Sequence, residues 1–227
     1  MKKLALLRTE ITECTQCDRL VAWCTQVARE KRRAYRDQTY WGKPVPGFGD
    51  PNASLIIVGL APGAHGANRT GRVFTGDRSG DFLYAALHRA KLASQPNSDH
   101  ANDGLTLRGV FITLACRCAP PDNHPTRDEL AACTHFLSRE IALFPKASTF
   151  LALGKIAYDA VAALSGVRIP DFGHGVYATL PHPTRPKTTA HLFASYHVSQ
   201  QNTQTGRLTP AMFDQVVTLA ARAAGLC

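Results

Sequence analysis

A chain of 227 residues is long enough for one domain with a full hydrophobic core and too short for two large domains. Hydrophobic residues make up 44% of the chain, which excludes a disordered protein. No apolar stretch approaches the roughly 20 residues that a membrane span needs, and the apolar run near the N-terminus is too short for a secretory signal. We therefore expect a cytoplasmic protein whose seven cysteines are not structural disulfides, and the net charge of +9 favours an anionic partner.

The first predicted element is an amphipathic helix over residues 11–36 with a basic end. Residues 1–36 carry nine Lys and Arg side chains against four acids. A turn-rich connection follows over residues 37–53, where proline and glycine recur. The positive charge of the chain is therefore uneven, and this first segment favours an anionic partner.

Strands and helices alternate through the rest of the chain. The predicted strands cover residues 54–59, 109–115, 148–153 and 190–196, and the predicted helices cover 79–92, 126–143, 154–165 and 209–224. Thr126 and Glu129 form a capping box, and Thr209 with Pro210 starts the last helix. This alternation predicts an α/β fold in one domain over residues 1–227, with a central, mainly parallel four-stranded sheet flanked by helices on both faces.

Two loops that follow predicted strands carry the candidate chemistry. The first is glycine-rich, runs from Gly59 to Asp77, and presents His65, Asn68, Arg69, Arg72, Phe74 and Asp77. The second follows the last strand over residues 195–209, within a span from 172 to 213 that contains no acidic residue. In a parallel sheet both loops leave the same edge, so we expect them to face each other across a crevice.

The motifs in these loops resemble those of the type B uracil-DNA glycosylases, family 5 of the uracil-DNA glycosylase superfamily. Residues 59–72 read GLAPGAHGANRTGR and residues 197–209 read HVSQQNTQTGRLT, while YWGKPVPGFGD at 40–50 and CAPP at 118–121 also fit. The resemblance covers about residues 11–220. It implies a monomeric, nucleoid-associated enzyme that flips uracil or another deaminated base out of DNA and hydrolyses the N-glycosidic bond.

The resemblance implies roles for two residues directly. Phe74 occupies the position of the ring that stacks on the flipped base, and its alternative role is that of a core aromatic. His197 would lie beside the departing base and donate a hydrogen bond to the developing anion, and its alternative role is structural.

The group that orients the attacking water is less clearly indicated. Better-known members of the superfamily carry a carboxylate or Asn where this chain has Leu60 and Ala61, and neither side chain activates water. Asn68 and Asp77 are the candidates in the same loop, followed by Asn123. Asn68 could instead be a turn residue, and Asp77 could instead cap the next helix.

The remaining candidate residues bind the base or the DNA backbone. Leu114 stands where many relatives have an Asn that reads the uracil edge, so we expect a broad range of substrates that includes hypoxanthine, ethenocytosine and mismatched thymine. The candidates for binding the base are Ala61, Gly63, Phe74, Asn123 and Asn202, and those for binding phosphates are Arg69, Arg72 and Arg207.

The cysteines suggest a cofactor. A Cys-x-x-Cys pair with two distant cysteines suits either Zn²⁺ or iron and sulfur, and the resemblance favours a structural [4Fe–4S] cluster held by four thiolates. Cys116 is the nearest competitor as a ligand, while Cys24 and Cys227 are expected to be ordinary thiols. The implied ligands are Cys14, Cys17, Cys118 and Cys133.

Two other functions remain as alternatives. The runner-up is a non-catalytic iron-sulfur protein that binds DNA damage, although a pure binder has no use for an anion-stabilising residue such as His197. A nucleotide-binding α/β protein is less well supported, because the glycines after the first strand do not follow the Gly-x-Gly-x-x-Gly spacing.

Overall fold

The computed structural model describes residues 2–226, which form a six-stranded mixed sheet with helices around it. The strands are β1 (Phe48–Gly49), β2 (Leu55–Gly59), β3 (Val110–Leu114), β4 (Thr149–Leu153), β5 (Tyr177–His182) and β6 (Arg185–Ser195). The helices are α1 (Lys2–Thr12), α2 (Asp18–Glu30), α3 (Ala67–Thr70), α4 (Arg78–Arg89), α5 (Arg127–Ala142), α6 (Lys155–Ser165), α7 (Gln200–Gln204) and α8 (Pro210–Ala223). Within residues 2–226 no helix combines the length and hydrophobicity that a bilayer crossing requires.

The sheet has the strand order β1-β3-β2-β4-β6-β5. Its four central strands are parallel and are the four predicted from the sequence. The predicted count of four strands is wrong, because β1 pairs antiparallel with β3 and β5 pairs antiparallel with β6. β1 is only two residues long, and β5 forms a hairpin with β6 in a proline-rich stretch that reads as a loop. For the same reason β6 begins at Arg185, five residues before its predicted start.

Helices cover both faces of the sheet, as predicted. Leu55 and Ile57 of β2 point to one face, where α4 and α8 pack, and Ile56 and Val58 point to the other, where α5 and α6 pack. This alternation is the period-2 pattern of a strand buried on both sides. The predicted capping box is confirmed, since Thr126 and Glu129 exchange backbone-to-side-chain hydrogen bonds of 2.7 and 3.2 Å.

The N-terminal segment differs from the prediction of one helix over residues 11–36. It contains two helices, α1 and α2, and the break between them holds Cys14 and Cys17. The second helix ends at Glu30 because Lys31 adopts a φ of 56°, and the basic residues that follow form a 3-10 turn over Arg33–Tyr35. No glycine or proline marks either break, which is why the sequence pattern runs through them.

Candidate active site

A cavity of about 690 Å³ lies at the carboxyl edge of the sheet, where the loop after β2 and the loop after β6 meet as predicted. Gly63 and Asp77 from the first loop line the cavity, and Gln200 from the second lines it too. Open α/β sheets bind their ligands in a crevice at this edge. The cavity is therefore the candidate site for substrate.

Phe74 and His197 form an aromatic pair, and each is three residues before a residue that lines this cavity, Asp77 and Gln200 respectively. Their ring centroids are 6.2 Å apart and the ring planes are inclined by 35°. Phe74 is buried in a left-handed conformation with φ 49°, which is strained for a bulky side chain. A Cβ atom at Gly59 would lie only 2.6 Å from Cζ of Phe74, so the ring needs glycine at that position. The tight surroundings hold the ring of Phe74 in one place.

His197 follows β6 and is mostly buried. Burial lowers the pKa of His197 to about 4, so the imidazole is neutral at physiological pH. Its backbone carbonyl accepts a 2.8 Å hydrogen bond from the side-chain amide of Asn202. Among the described residues, nothing hydrogen-bonds to the imidazole nitrogens. The ring can therefore donate one N–H to a ligand, while Asn202 orients the loop that carries it.

Asp77 combines two roles that the sequence left as alternatives. It is the N-cap of α4, where its carboxylate accepts a 3.0 Å hydrogen bond from the backbone of Gly80. The same carboxylate lines the cavity and lies against the glycine-rich loop, since a Cβ atom at Gly66 would be 1.8 Å from its Oδ2. Burial raises the pKa of Asp77 above its ordinary value. A buried carboxylate at a cavity wall is a suitable acceptor for a proton of water.

Asn68 is fully buried and connects its loop to the N-terminal region. Its amide nitrogen lies 3.4 Å from the carbonyl oxygens of Cys24 and Ala64, and its Oδ1 has no hydrogen-bond partner among the described residues. These contacts are those of a structural loop residue. A catalytic role for Asn68 stays a prediction.

Two of the three predicted phosphate ligands are buried, and their guanidinium groups bind other parts of the chain. Arg69 donates to the carbonyls of His65 and Gly76 at 2.7 and 2.6 Å. Arg72 donates to Thr75 at 2.9 Å and forms an ion pair of 2.6 Å with Asp103. Both arginines hold the glycine-rich loop in shape.

Arg207 and the remaining predicted residues have different surroundings. Arg207 is exposed and lies over the ring of Tyr196, 4.6 Å from its centroid. Asn123 is exposed on a 3-10 turn, and Ala61 packs against the cysteines described below. Gly63 is brought to the cavity, whereas Asn123 and Ala61 are not among the residues that line it.

Sequence reasoning missed several residues around the cavity. Arg32, Tyr35 and Arg78 line it, and Tyr40 places its hydroxyl 3.1 Å from Nδ1 of His65. Burial lowers the pKa of His65, and the charges of Arg32 and Arg69 lower it further. Arg78 lies one residue before the predicted helix over residues 79–92, and Arg32 lies in the basic N-terminal segment, so the sequence indicated the charge of Arg32 but not its place at this cavity.

Six cysteines converge where α2, α5 and the turn after β3 meet. None forms a disulfide. Cys24, Cys116, Cys118 and Cys133 pack in one buried cluster, where the thiols of Cys24 and Cys116 donate to the backbone carbonyls of Ala119 and Cys118 at 3.5 Å. Cys24 is therefore part of the group and not an isolated thiol, while Cys227 lies outside the described residues. The other two members, Cys14 and Cys17, are half-buried beside them.

The six cysteines supply the kind of ligand that an iron-sulfur cluster requires, and they come from separate segments of the chain. However, no three metal-ligand side chains of the described residues surround a common point. Ligation of a cluster by Cys14, Cys17, Cys118 and Cys133 stays a prediction.

Comparison with known proteins decides the family. The model of the uracil DNA glycosylase superfamily matches residues 46–220. The chain belongs to this superfamily. A type-5 uracil-DNA glycosylase from Thermus thermophilus is 51% identical over 228 residues, which covers 100% of both chains. Type-5 enzymes from Mycobacterium leprae and Pyrobaculum aerophilum are 51% and 41% identical, and cover 97% and 95% of this chain and 95% and 91% of their own.

The resemblance to family 5 is thus confirmed. The superfamily model and the Thermus relative differ in how much of this uracil-DNA glycosylase they cover. The superfamily match begins at Pro46 and excludes α1, α2 and their cysteines. The Thermus relative extends over these helices as well. The N-terminal segment that carries Cys14, Cys17 and Arg32 is therefore shared with type-5 relatives.

Proposed function

We propose that the chain removes uracil from DNA by hydrolysing the N-glycosidic bond, and that it also accepts hypoxanthine, ethenocytosine and mismatched thymine. The observation that carries the proposal is the pairing of the neutral imidazole of His197 with the ring of Phe74 at 6.2 Å, on the two loops that meet at the cavity lined by Asp77. Membership of the superfamily supports the same chemistry. The product is DNA with an abasic site. In this proposal the enzyme acts as a monomer and associates with the nucleoid.

The mechanism depends on charge that develops as the bond breaks. The flipped base stacks on Phe74, and negative charge accumulates on the base as it leaves the sugar. His197 donates its N–H to a base oxygen, and this hydrogen bond strengthens as the oxygen becomes anionic. The neutral imidazole hydrogen-bonds only weakly to the uncharged base of the ground state. The same hydrogen bond therefore stabilises the anionic transition state more than the ground state.

The other candidate residues place the water and the base. The carboxylate of Asp77 orients the attacking water, with Asn68 and Asn123 as the alternatives. Gly63 and Asn202 would contact the base together with Phe74, whereas the contacts of Ala61 with the cysteines do not support the predicted role of Ala61 in binding the base. Leu114 has no amide to read the uracil edge, so the site would discriminate less against other deaminated bases.

Cys14, Cys17, Cys118 and Cys133 would hold a [4Fe–4S] cluster in this proposal. The group would supply a structural link and no step of the reaction. Its ligands would join the break between α1 and α2 to the turn after β3 and to α5. This link would hold the N-terminal helices against the edge of the sheet where the cavity lies.

A panel of duplexes tests the proposal directly. Each duplex carries uracil, hypoxanthine, ethenocytosine or mismatched thymine at one position, and alkali after incubation reveals abasic sites as strand breaks. We expect breaks at uracil and at one or more of the other lesions. Tight binding to uracil-containing duplexes without any breaks would contradict excision and would support a non-catalytic damage-binding protein.

A further inference from the structure

Three carboxylates line the cavity, and their negative charge opposes the approach of a DNA strand. They belong to Asp77, Asp81 and Asp99. These carboxylates repel the phosphates on either side of a base that enters the cavity. A strand can lie across the opening only if cations at the rim offset this repulsion.

Arg69 also lines the cavity, but its guanidinium group is already hydrogen-bonded to other residues of the chain. Arg69 uses its guanidinium nitrogens to bind the carbonyls of His65 and Gly76 and the side chain of Gln38, and it stacks on Tyr35 at 4.0 Å. A phosphate could reach these donors only by breaking the loop that they hold. The cations that can bind a phosphate must come from the rim.

Arg32 is one such cation at the rim. Its side chain is exposed and lines the cavity, and within residues 2–226 it has no ion pair with a carboxylate. Its backbone N–H donates to the hydroxyl of Tyr40 at 3.3 Å, and that hydroxyl contacts His65. These contacts hold the backbone of Arg32 near the glycine-rich loop, so its side chain starts from a fixed point at the cavity and can reach a ligand there.

Arg78 is a second exposed cation that lines the cavity. It is the first residue of α4, directly after Asp77, and its side chain is 76% exposed. Its one ion pair within the described chain is a loose contact of 3.6 Å with Asp81, which is itself 47% exposed. An exposed pair of this kind contributes little to stability, so the guanidinium group is available to a ligand.

We infer that Arg32 and Arg78 form a phosphate-binding pair that holds the DNA backbone next to the nucleotide whose base enters the cavity. This inference rests on the proposed function and names the residues that bind the strand there. Arginine suits the task because its planar fork of N–H donors matches phosphate oxygens. The pair takes the place of Arg69 and Arg72, which the sequence suggested and which the fold uses internally.

The test compares Arg32→Gln and Arg78→Gln with Arg222→Gln, which removes the same charge near the end of α8, at the opposite edge of the sheet. The probe is a duplex with a tetrahydrofuran abasic analogue, bound between 50 and 200 mM salt. We expect each rim variant to bind about five- to tenfold more weakly at 100 mM salt and to reduce the salt slope by about 0.9. Arg222→Gln should keep the parental slope, and Arg32→Lys should regain most of the affinity.

The outcomes separate this inference from the proposed function. If the parental protein excises no lesion but the rim variants alone lose affinity and salt slope, the proposed function fails and the phosphate-binding pair stands. Rim variants that keep the parental slope, with thermal unfolding unchanged, would overturn the pair whether or not the protein excises uracil. Equal losses in all three arginine variants would also overturn it, because they would reflect net charge alone.

Discussion

His197 is an uncharged hydrogen-bond donor at neutral pH, because burial lowers its pKa to about 4. Its loop is oriented by Asn202, and its ring lies beside that of Phe74. Asp77, three residues after Phe74, has the opposite shift, since burial raises the pKa of its carboxyl. In both groups burial disfavours the charged form, which is why one pKa falls and the other rises.

These opposite shifts predict the pH dependence of excision. The neutral form of His197 persists as pH falls through 6.5, so the single-turnover rate should show no inflection there. At lower pH the rate should fall as Asp77 becomes protonated, at a pH above the 3.8 of an ordinary Asp. Asp77→Asn should be slow and should lack this acidic decline. A decline centred near pH 6.5 that disappears in His197→Ala would contradict the neutral imidazole.

At the scale of secondary-structure elements, a buried ion pair between Arg72 and Asp103 holds the loop between β2 and α4. Arg72 connects this loop to the segment after α4 through Ser98 and Asp103, and both partners of the Arg72–Asp103 pair are almost fully buried. Burial opposes ionisation of Asp103, but hydrogen bonds from Arg72 and the backbone outweigh it and lower its pKa to about 2. Loss of one partner leaves the other charge buried without compensation.

Asp103→Ala should therefore reduce the free energy of unfolding by about 3–5 kcal/mol at pH 7. Because the pKa of Asp103 is lowered from 3.8 to about 2, its contribution is present above pH 4 and is lost as pH falls towards 2. Urea denaturation across this range measures both effects. Asp214→Ala, which breaks the more exposed pair with Arg89, is the control and should cost no more than about 1 kcal/mol. Equal losses in the two variants would contradict the importance of burial.

The elements differ in how clearly the sequence predicts them. The four parallel strands are predictable because each is a short apolar run followed by a loop with glycine or polar residues. The hairpin of β5 and β6 is not, because Pro181, Pro183 and Pro186 resemble a loop, and pairing at the edge of a sheet tolerates them. The break between α1 and α2 has no local signal, since both helices are fixed by tertiary contacts of buried residues such as Ile11 and Leu20.

At the scale of the whole molecule, the group of cysteines joins segments that are far apart in the chain. Cys14 and Cys17 come from the N-terminal region, Cys118 follows β3, and Cys133 lies in α5. The sequence identified the residue types and the spacing. It did not show that Cys24 and Cys116 lie in the same group, because spatial proximity between distant segments depends on the packing of α2 against the turn after β3.

Single Cys→Ser substitutions test which thiols hold the proposed cluster. Substitution of Cys14, Cys17, Cys118 or Cys133 should reduce iron from about four atoms per chain and weaken the visible absorbance of anaerobically purified protein. Cys24→Ser and Cys116→Ser are matched controls from the same group and should retain both signals. Stoichiometric zinc in place of iron, or iron loss in the controls alone, would contradict the proposed ligand set.

The meeting of the two loops at one edge of the sheet was predictable, because both follow parallel strands. The ring centroids of Phe74 and His197 come within 6.2 Å of each other there, and Asp77 lines the cavity, while the roles of these residues in catalysis stay predictions. The binding partners of the arginines were not predictable. A sequence shows that Arg69 is basic, but only the fold shows that its donors bind backbone carbonyls.

The rate of uracil excision by His197→Ala tests the central claim most directly. The substitution removes a hydrogen bond made to the departing base, so single-turnover excision should fall by about 10²–10³. Affinity for the duplex should change by no more than a few fold, because phosphates supply most of it. His191→Ala, on β6 away from the cavity, is the matched control and should excise at the parental rate. Excision by His197→Ala at the parental rate would contradict the proposed mechanism.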